Sequence, residues 1–224
     1  MGRGKIELAV GKAYGGDQSW WGKGSQGERY GCGVVAGANV LWHLGHGEGR
    51  ASLLPAPGKG KQAYMLLADS LWREVMPWTG WTPQHWTGRK TDPRSPAVKG
   101  GLGVPGVGRL EKGMLAYGRK RGVPLRVERM DNRSSLEEAK AFLDRHLDLG
   151  RLPCLLTWAG APRFSWHWVC ITDMGKAPEG ALEISTWGRR ESIPDFRRQW
   201  EGKGPLDKRF LAVFYTSLMQ STES

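Results

Sequence analysis

Gln26-Gly-Glu-Arg-Tyr-Gly-Cys32-Gly-Val-Val-Ala-Gly-Ala-Asn-Val-Leu-Trp-His43 is the stretch on which the fold turns. Val34, Ala38 and Leu41, with Val35 and Trp42 beside them, recur at helical spacing, which predicts an amphipathic helix beginning at or near Cys32. Gly45 and Gly47 are read as its stop. The pattern sets a thiol in the first turn of a helix, where the peptide dipoles favour thiolate over thiol. Gly31 and Gly33 flank it and leave room for a substrate backbone to approach the sulfur. Taken alone, the same stretch also suits an inert, buried cysteine.

Outward from this helix, residues 1–30 are rich in Gly and Trp, with Ile6–Val10 the one strand-like run. A second helix is predicted over Lys61–Met76, on an apolar stripe of Ala63, Leu66, Leu67, Leu71 and Val75, and Pro77 closes it. Residues 77–108 read as a long loop anchored by Trp78, Trp81 and Trp86, a length often reserved for function. A third helix follows at about Gly108–Arg121, then an alternating strand at Val123–Arg129. Ser134 and Ser135, each followed three residues later by Glu137 or Glu138, open a helix that ends at Gly150.

Beyond Gly150 the chain turns to strands: Leu152–Trp158, Trp166–Asp173, Ala181–Trp187 and Phe210–Thr216, with a short helical segment near Asp195–Trp200. Helices first and an antiparallel sheet second indicate an α+β fold. The expectation is a single domain over 1–224, its helical part at about 31–150 packed on a sheet part at about 151–217.

Two later segments add chemistry to the thiol. In Ser165-Trp-His167-Trp-Val-Cys-Ile-Thr-Asp173 a histidine opens an apolar strand, placed as a general base or as a satisfied structural residue. In Leu182-Glu-Ile-Ser185-Thr-Trp187-Gly188 a strand ends in Ser-Thr-Trp-Gly. A Cys at a helix start, a strand-opening His and then this strand end together resemble the papain-like cysteine peptidases. The short Gly-Cys-Gly start and the His-Trp-Val run are most similar to the compact bacterial branch, which includes peptidases that remove double-glycine leader peptides. The resemblance covers about residues 14–44 and 150–216, and the middle, 45–149, carries no matching motif.

This resemblance implies a papain-like fold and a cysteine hydrolase cleaving a peptide or amide bond. Cys32 is then the nucleophile and His167 its base, as a thiolate–imidazolium pair. A Gln upstream stabilises the oxyanion: Gln26 at the family spacing, or Gln18 if the Gly-rich segment loops out. Ser185 stands where the family has Asn or Asp to orient the imidazole, with Glu183 a substitute two residues earlier. Gly31, Gly33, Trp166 and Trp187 line the substrate side, and Trp187 shields the histidine. The same scaffold also fits an acyltransferase or transamidase, or a non-catalytic binding protein.

Composition sets the remaining bounds. The chain has 224 residues and a formal net charge of +11, with 39% hydrophobic residues and 12 Trp, enough to bury a real core. No apolar run approaches the ~18 residues of a bilayer span and no signal peptide is visible, so a cytoplasmic protein without a membrane span is expected. Cys32, Cys154 and Cys170 form neither a disulfide framework nor a zinc set, and the latter two read as small core residues. His43 and His46 read as helix C-terminal residues, and two three-glycine patterns, 22–27 and 101–106, follow no convincing strand. No cofactor and no metal are expected, and the partner is a peptide or amide substrate. Residues 89–129 carry +8 of the net charge, read as a solvated face; nucleic acid is the least supported partner, because no motif accompanies the charge.

Overall fold

In a computed structural model, residues 5–80, 91–175, 180–202, 204 and 207–217 are described. The helix that carries Cys32 lies at the centre. α1 (Gln26–Tyr30) leads through Gly31 into α2 (Cys32–His46), and every residue of α2 from Gly33 to Trp42 is buried. A helix that is buried all round must be enclosed. α3 (Lys61–Val75) and α4 (Val107–Lys120) cover one side, and the sheet covers the other. Gly37 allows the close approach: a Cβ there would sit 3.0 Å from both Leu71 and Met114. The helix runs through Gly45, which packs against Leu54, and ends at Gly47.

The remaining elements are β1 (Ala9–Val10), β2 (Ala13–Tyr14), β3 (Leu125–Asp131), α5 (Leu136–Asp148), β4 (Pro153–Thr157), β5 (His167–Met174), β6 (Leu182–Thr186), β7 (Arg189–Ile193), α6 (Phe196–Trp200) and β8 (Arg209–Thr216). β1 and β2 form a short ribbon; the other six strands form one antiparallel sheet in the order β3-β8-β4-β5-β6-β7. The architecture is α+β, with N-terminal helices packed against this sheet. β4 is buried at every position and β5 at all but Asp173, as central strands should be.

Two features depart from the expected division into helices and sheet. β3 arises within the helical half and pairs along its whole length with β8, at one edge of the sheet. At the other edge is β7, whose sequence Arg-Arg-Glu-Ser-Ile has no apolar alternation. Its partner β6 and the two-residue turn Trp187-Gly188, with φ of 48° and 68°, create this strand. The expected strand at Ile6–Val10 contracts to Ala9–Val10.

Helix ends follow local chemistry. α3 stops at Met76 in the left-handed conformation (φ 50°), directly before Pro77. Ser135, not Ser134, is the N-cap of α5, and with Glu138 it forms a reciprocal capping box. In the basic segment, surface ion pairs join Arg94 to Asp69, Lys120 to Glu74 and Arg129 to Glu111. Trp81, Trp86, Arg89 and Lys90 lie outside the described residues. Among those described, no helix is long and apolar enough to cross a membrane, and no cluster of His, Cys, Asp or Glu could hold a metal ion.

The capping box gives a direct check on the fold. Ser135→Ala should lower the free energy of unfolding by about 1 kcal/mol, read from urea denaturation, while Ser134→Ala should leave the midpoint unchanged.

Candidate active site

Cys32 lies at the first position of α2 and His167 at the first position of β5, and both line one narrow cleft. Its other walls include Gln18, Ala36, Asn39, Cys170, Ser185 and Thr186. Its free volume is about 10 Å³, room for one water. The sheet carries the histidine to the helix because β5 pairs with β4 on one side and β6 on the other, and α2 packs across β5.

Gln18 reaches this cleft through a tightly held glycine loop. The Gly16 N–H donates to Asn39 Oδ1 (2.9 Å), the Gly15 N–H to the Leu8 carbonyl (2.7 Å), and the Gly188 N–H to the Gly16 carbonyl (2.9 Å). Neither glycine tolerates a side chain. Gly15 has φ 78° and a Cβ on it would fall 2.2 Å from Ser185 Oγ; one on Gly16 would fall 2.2 Å from the Tyr64 ring. Asp17 then caps the 3-10 turn Gln18–Trp21, and Gln18 Nε2 donates to the Glu28 carbonyl. Gln26 sits elsewhere. It is buried as the first residue of α1, donates its backbone N–H to the Ser95 carbonyl, and does not line the cleft.

The hydroxyl next to the imidazole belongs to Thr186, with Oγ1 2.8 Å from His167 Nε2. Ser185, one residue earlier, instead donates to the Tyr14 carbonyl (2.8 Å) and so holds the glycine loop. Successive side chains of a strand project to opposite faces, which is why only one of the two meets the histidine. Thr186 was legible as the residue between Ser185 and Trp187 but not singled out. Glu183 is held away by Lys5, Arg190 and Thr172. Trp187 stacks on the His167 ring (4.6 Å between centroids) and is 42% exposed, so it covers the imidazole from solvent. Trp166, 50% exposed, stacks on Trp158 and does not line the cleft.

The flanking glycines are closely packed on the side where a Cβ would project. A Cβ on Gly31 would lie 2.3 Å from the Gly27 carbonyl oxygen, and one on Gly33 would lie 2.6 Å from Val104 Cβ. Val104 belongs to a loop pinned to the sheet by two indoles: Trp168 Nε1 donates to its carbonyl (2.7 Å), and Trp158 Nε1 to that of Pro105 (2.8 Å).

The electrostatics run against the expected resting ion pair. Burial raises the Cys32 thiol above its ordinary range; the backbone N–H groups of Trp168, Gly33 and Cys32 itself oppose this and are outweighed. Burial lowers His167 to about 4. Both shifts have one physical cause, the loss of water around a charge, and both favour neutral thiol and neutral imidazole. Compared with known proteins, the chain matches no protein-family model and no curated protein.

Two measurements check these shifts. Iodoacetamide should alkylate Cys32 at a rate that climbs only as pH passes above the ordinary thiol value of about 8.5. A plateau reached by pH 7 contradicts the burial argument. The unfolded chain takes up a proton on histidine near pH 6.5, whereas native His167, and His146 likewise, do so near 4. Between those values the unfolded state holds more protons, so these histidines should make stability fall as pH drops from about 6.5 to about 4. Denaturation midpoints across that range, with His167→Gln flattening the slope, provide the check.

Proposed function

We propose that the chain is a cysteine-dependent hydrolase of peptide or amide bonds, on a papain-like arrangement of a helix-borne thiol against a sheet-borne histidine. One observation carries the reading: Cys32, His167 and Gln18, far apart in sequence, line the same cleft.

The chemistry follows from the atoms present. Thr186 Oγ1 occupies His167 Nε2, and the mechanism uses the tautomer in which Nε2–H donates to that hydroxyl and Nδ1 is left as the free base. Nδ1 takes the thiol proton as sulfur attacks the carbonyl carbon, which makes the thiolate–imidazolium pair a product of attack and not a resting state. An amide nitrogen has two protons. The Glu28 carbonyl holds one of those on Gln18 Nε2, and the second, with the Cys32 N–H, faces the oxyanion. The imidazolium then protonates the leaving amine. Water, deprotonated by the same nitrogen, attacks the thioester and frees the acid and Cys32. An amine in place of that water gives the transferase outcome on the same acyl-enzyme.

A binding protein on this scaffold has one observation in its favour, the burial that keeps both groups neutral. Turnover separates the two. With a mixed peptide and amide library, the chain should release new amino termini or ammonia, and Cys32→Ala should release none. Gln18→Ala should lower kcat by ~10²–10³, the usual cost of losing an oxyanion donor, and Gln26→Ala should change it little. Hydrolysis that survives Cys32→Ala overturns the proposal.

A further inference from the structure

Cys154 and Cys170 read as core residues in the sequence, and both are fully buried. The fold nonetheless gives them a relation that burial alone does not require. They are direct register partners on β4 and β5, and their sulfur atoms lie 3.8 Å apart. Directly opposed residues of an antiparallel pair have Cα atoms ~4.5–5.5 Å apart, inside the range a disulfide spans. Both thiols also turn to one acceptor, the Ala36 carbonyl, at 3.9 Å from Cys154 and 3.4 Å from Cys170. They therefore already point together, and bond formation needs the sulfurs to close from 3.8 Å to about 2.05 Å. Only one of the two meets the cleft: Cys170 lines it and Cys154 does not.

We infer that Cys154 and Cys170 form an oxidation site, a thiol pair that a peroxide of water-like size converts to a disulfide through the cleft. This does not depend on Cys32 being a nucleophile. Cys170 is fully buried, unlike the partly exposed Cys32, and the free space beside it is about that of one water, so a small oxidant such as hydrogen peroxide reaches its sulfur and a tripeptide disulfide does not. In the first step Cys170 sulfur attacks one peroxide oxygen and breaks the O–O bond; Cys170 becomes a sulfenic acid, and the other oxygen leaves as water with the thiol proton. In the second step Cys154 sulfur attacks Cys170 sulfur and expels the hydroxyl, which leaves as a second water with the Cys154 proton. Two thiols lose two electrons in total and one peroxide gains them. Hydrogen bonding to Cys170, and then burial, hold the Cys154 thiol well above the ordinary range, so it enters the second step protonated.

Oxidation also reaches the glycine loop. Asn39 Nδ2 donates to Cys170 sulfur (3.8 Å), while its Oδ1 holds the Gly16 N–H (2.9 Å). A disulfide removes both thiol donors from Ala36 and moves the sulfur that Asn39 faces.

The test uses the full chain carrying Cys32→Ala, exposed natively to hydrogen peroxide, quenched, then unfolded and alkylated. The expected product is lighter by two hydrogens, has no alkylatable thiol, and recovers both on reduction. With Cys154→Ser added, a 1,3-diketone present in the unfolding buffer after the peroxide is quenched should trap a sulfenic acid on Cys170; with Cys170→Ser added, Cys154 should stay reduced. Oxidised glutathione should leave the native thiols unchanged. Two thiols still alkylatable after peroxide, or added oxygens without a bond, overturn the pairing. Equal reaction with glutathione disulfide, or oxidation of Cys154 alone, overturns the route through the cleft.

Discussion

The side-chain amide of Asn39 is the contact on which the cleft depends. It projects from the buried middle of α2, 1% exposed, and each of its polar atoms has a partner on a different part of the chain. Oδ1 accepts from the Gly16 N–H and the Tyr64 hydroxyl (2.8 Å), and Nδ2 donates to Cys170 on β5. The helix that bears the thiol is thus tied to the loop that bears Gln18, to α3 and to the sheet. A buried amide with unpaired groups costs several kcal/mol, of the order of 1–3 for each group. The glycine loop has little freedom to move without incurring that cost, and Ser185 and Gly188 hold it from the opposite side. Gln18 is presented by a rigid support even though it lies in a connecting segment.

The same enclosure that makes the cleft rigid decides its electrostatics. Cys32 has the helix start and three backbone N–H groups in its favour, and by sequence this reads as a lowered thiol. Burial outweighs them because a thiolate there gives up its hydration, and the backbone N–H groups return only part of it. His167, covered by Trp187 and buried in the sheet end, faces the identical penalty in the opposite direction. In a proton transfer between them the net charge of the pair is unchanged, so the two penalties are met together by their mutual attraction. Attraction of this kind is large only where water is excluded.

Much of this architecture could be read from residue order. The 3.6-residue spacing of α2 and α3, the Ser135–Glu138 capping box and the apolar runs of β4 and β5 are local signals, and each lies within a few residues of its expected place. What escaped was non-local. β7 is charged and exists because β6 and a tight turn hold it, so no alternation marks it. That Gln18 and not Gln26 lines the cleft depends on a loop bent back at Gly15 and Gly16, which the spacing from Cys32 does not report. The choice of Thr186 over Ser185 rests on strand facing at the last residues of β6, a difference of a single register step. Gly31 and Gly33 looked like open ground because small residues signal close approach without saying by what; here α1 and Val104 are what approaches.

Backbone strain gathers around the histidine for a related reason. Phe164, Trp166 and Trp187 all have positive φ, at 56°, 54° and 48°, and these three aromatics flank His167 in sequence or stack near it. Aromatic residues seldom adopt this conformation, which costs of the order of 1–3 kcal/mol at each position. The turn after β6 would accept Asn-Gly without strain. Having Trp187 there instead places an indole on the imidazole, and Phe164 packs against that indole at 5.6 Å. Phe164 also contributes its carbonyl to Thr157 Oγ1, on the strand directly paired with His167. Of the strained residues, Trp187 and Phe164 pack at the imidazole, while Trp166 stacks on Trp158 and Met76 ends α3. The strain is thus local to the strand end that carries His167, where the indole of Trp187 and the ring of Phe164 take the place that water would hold.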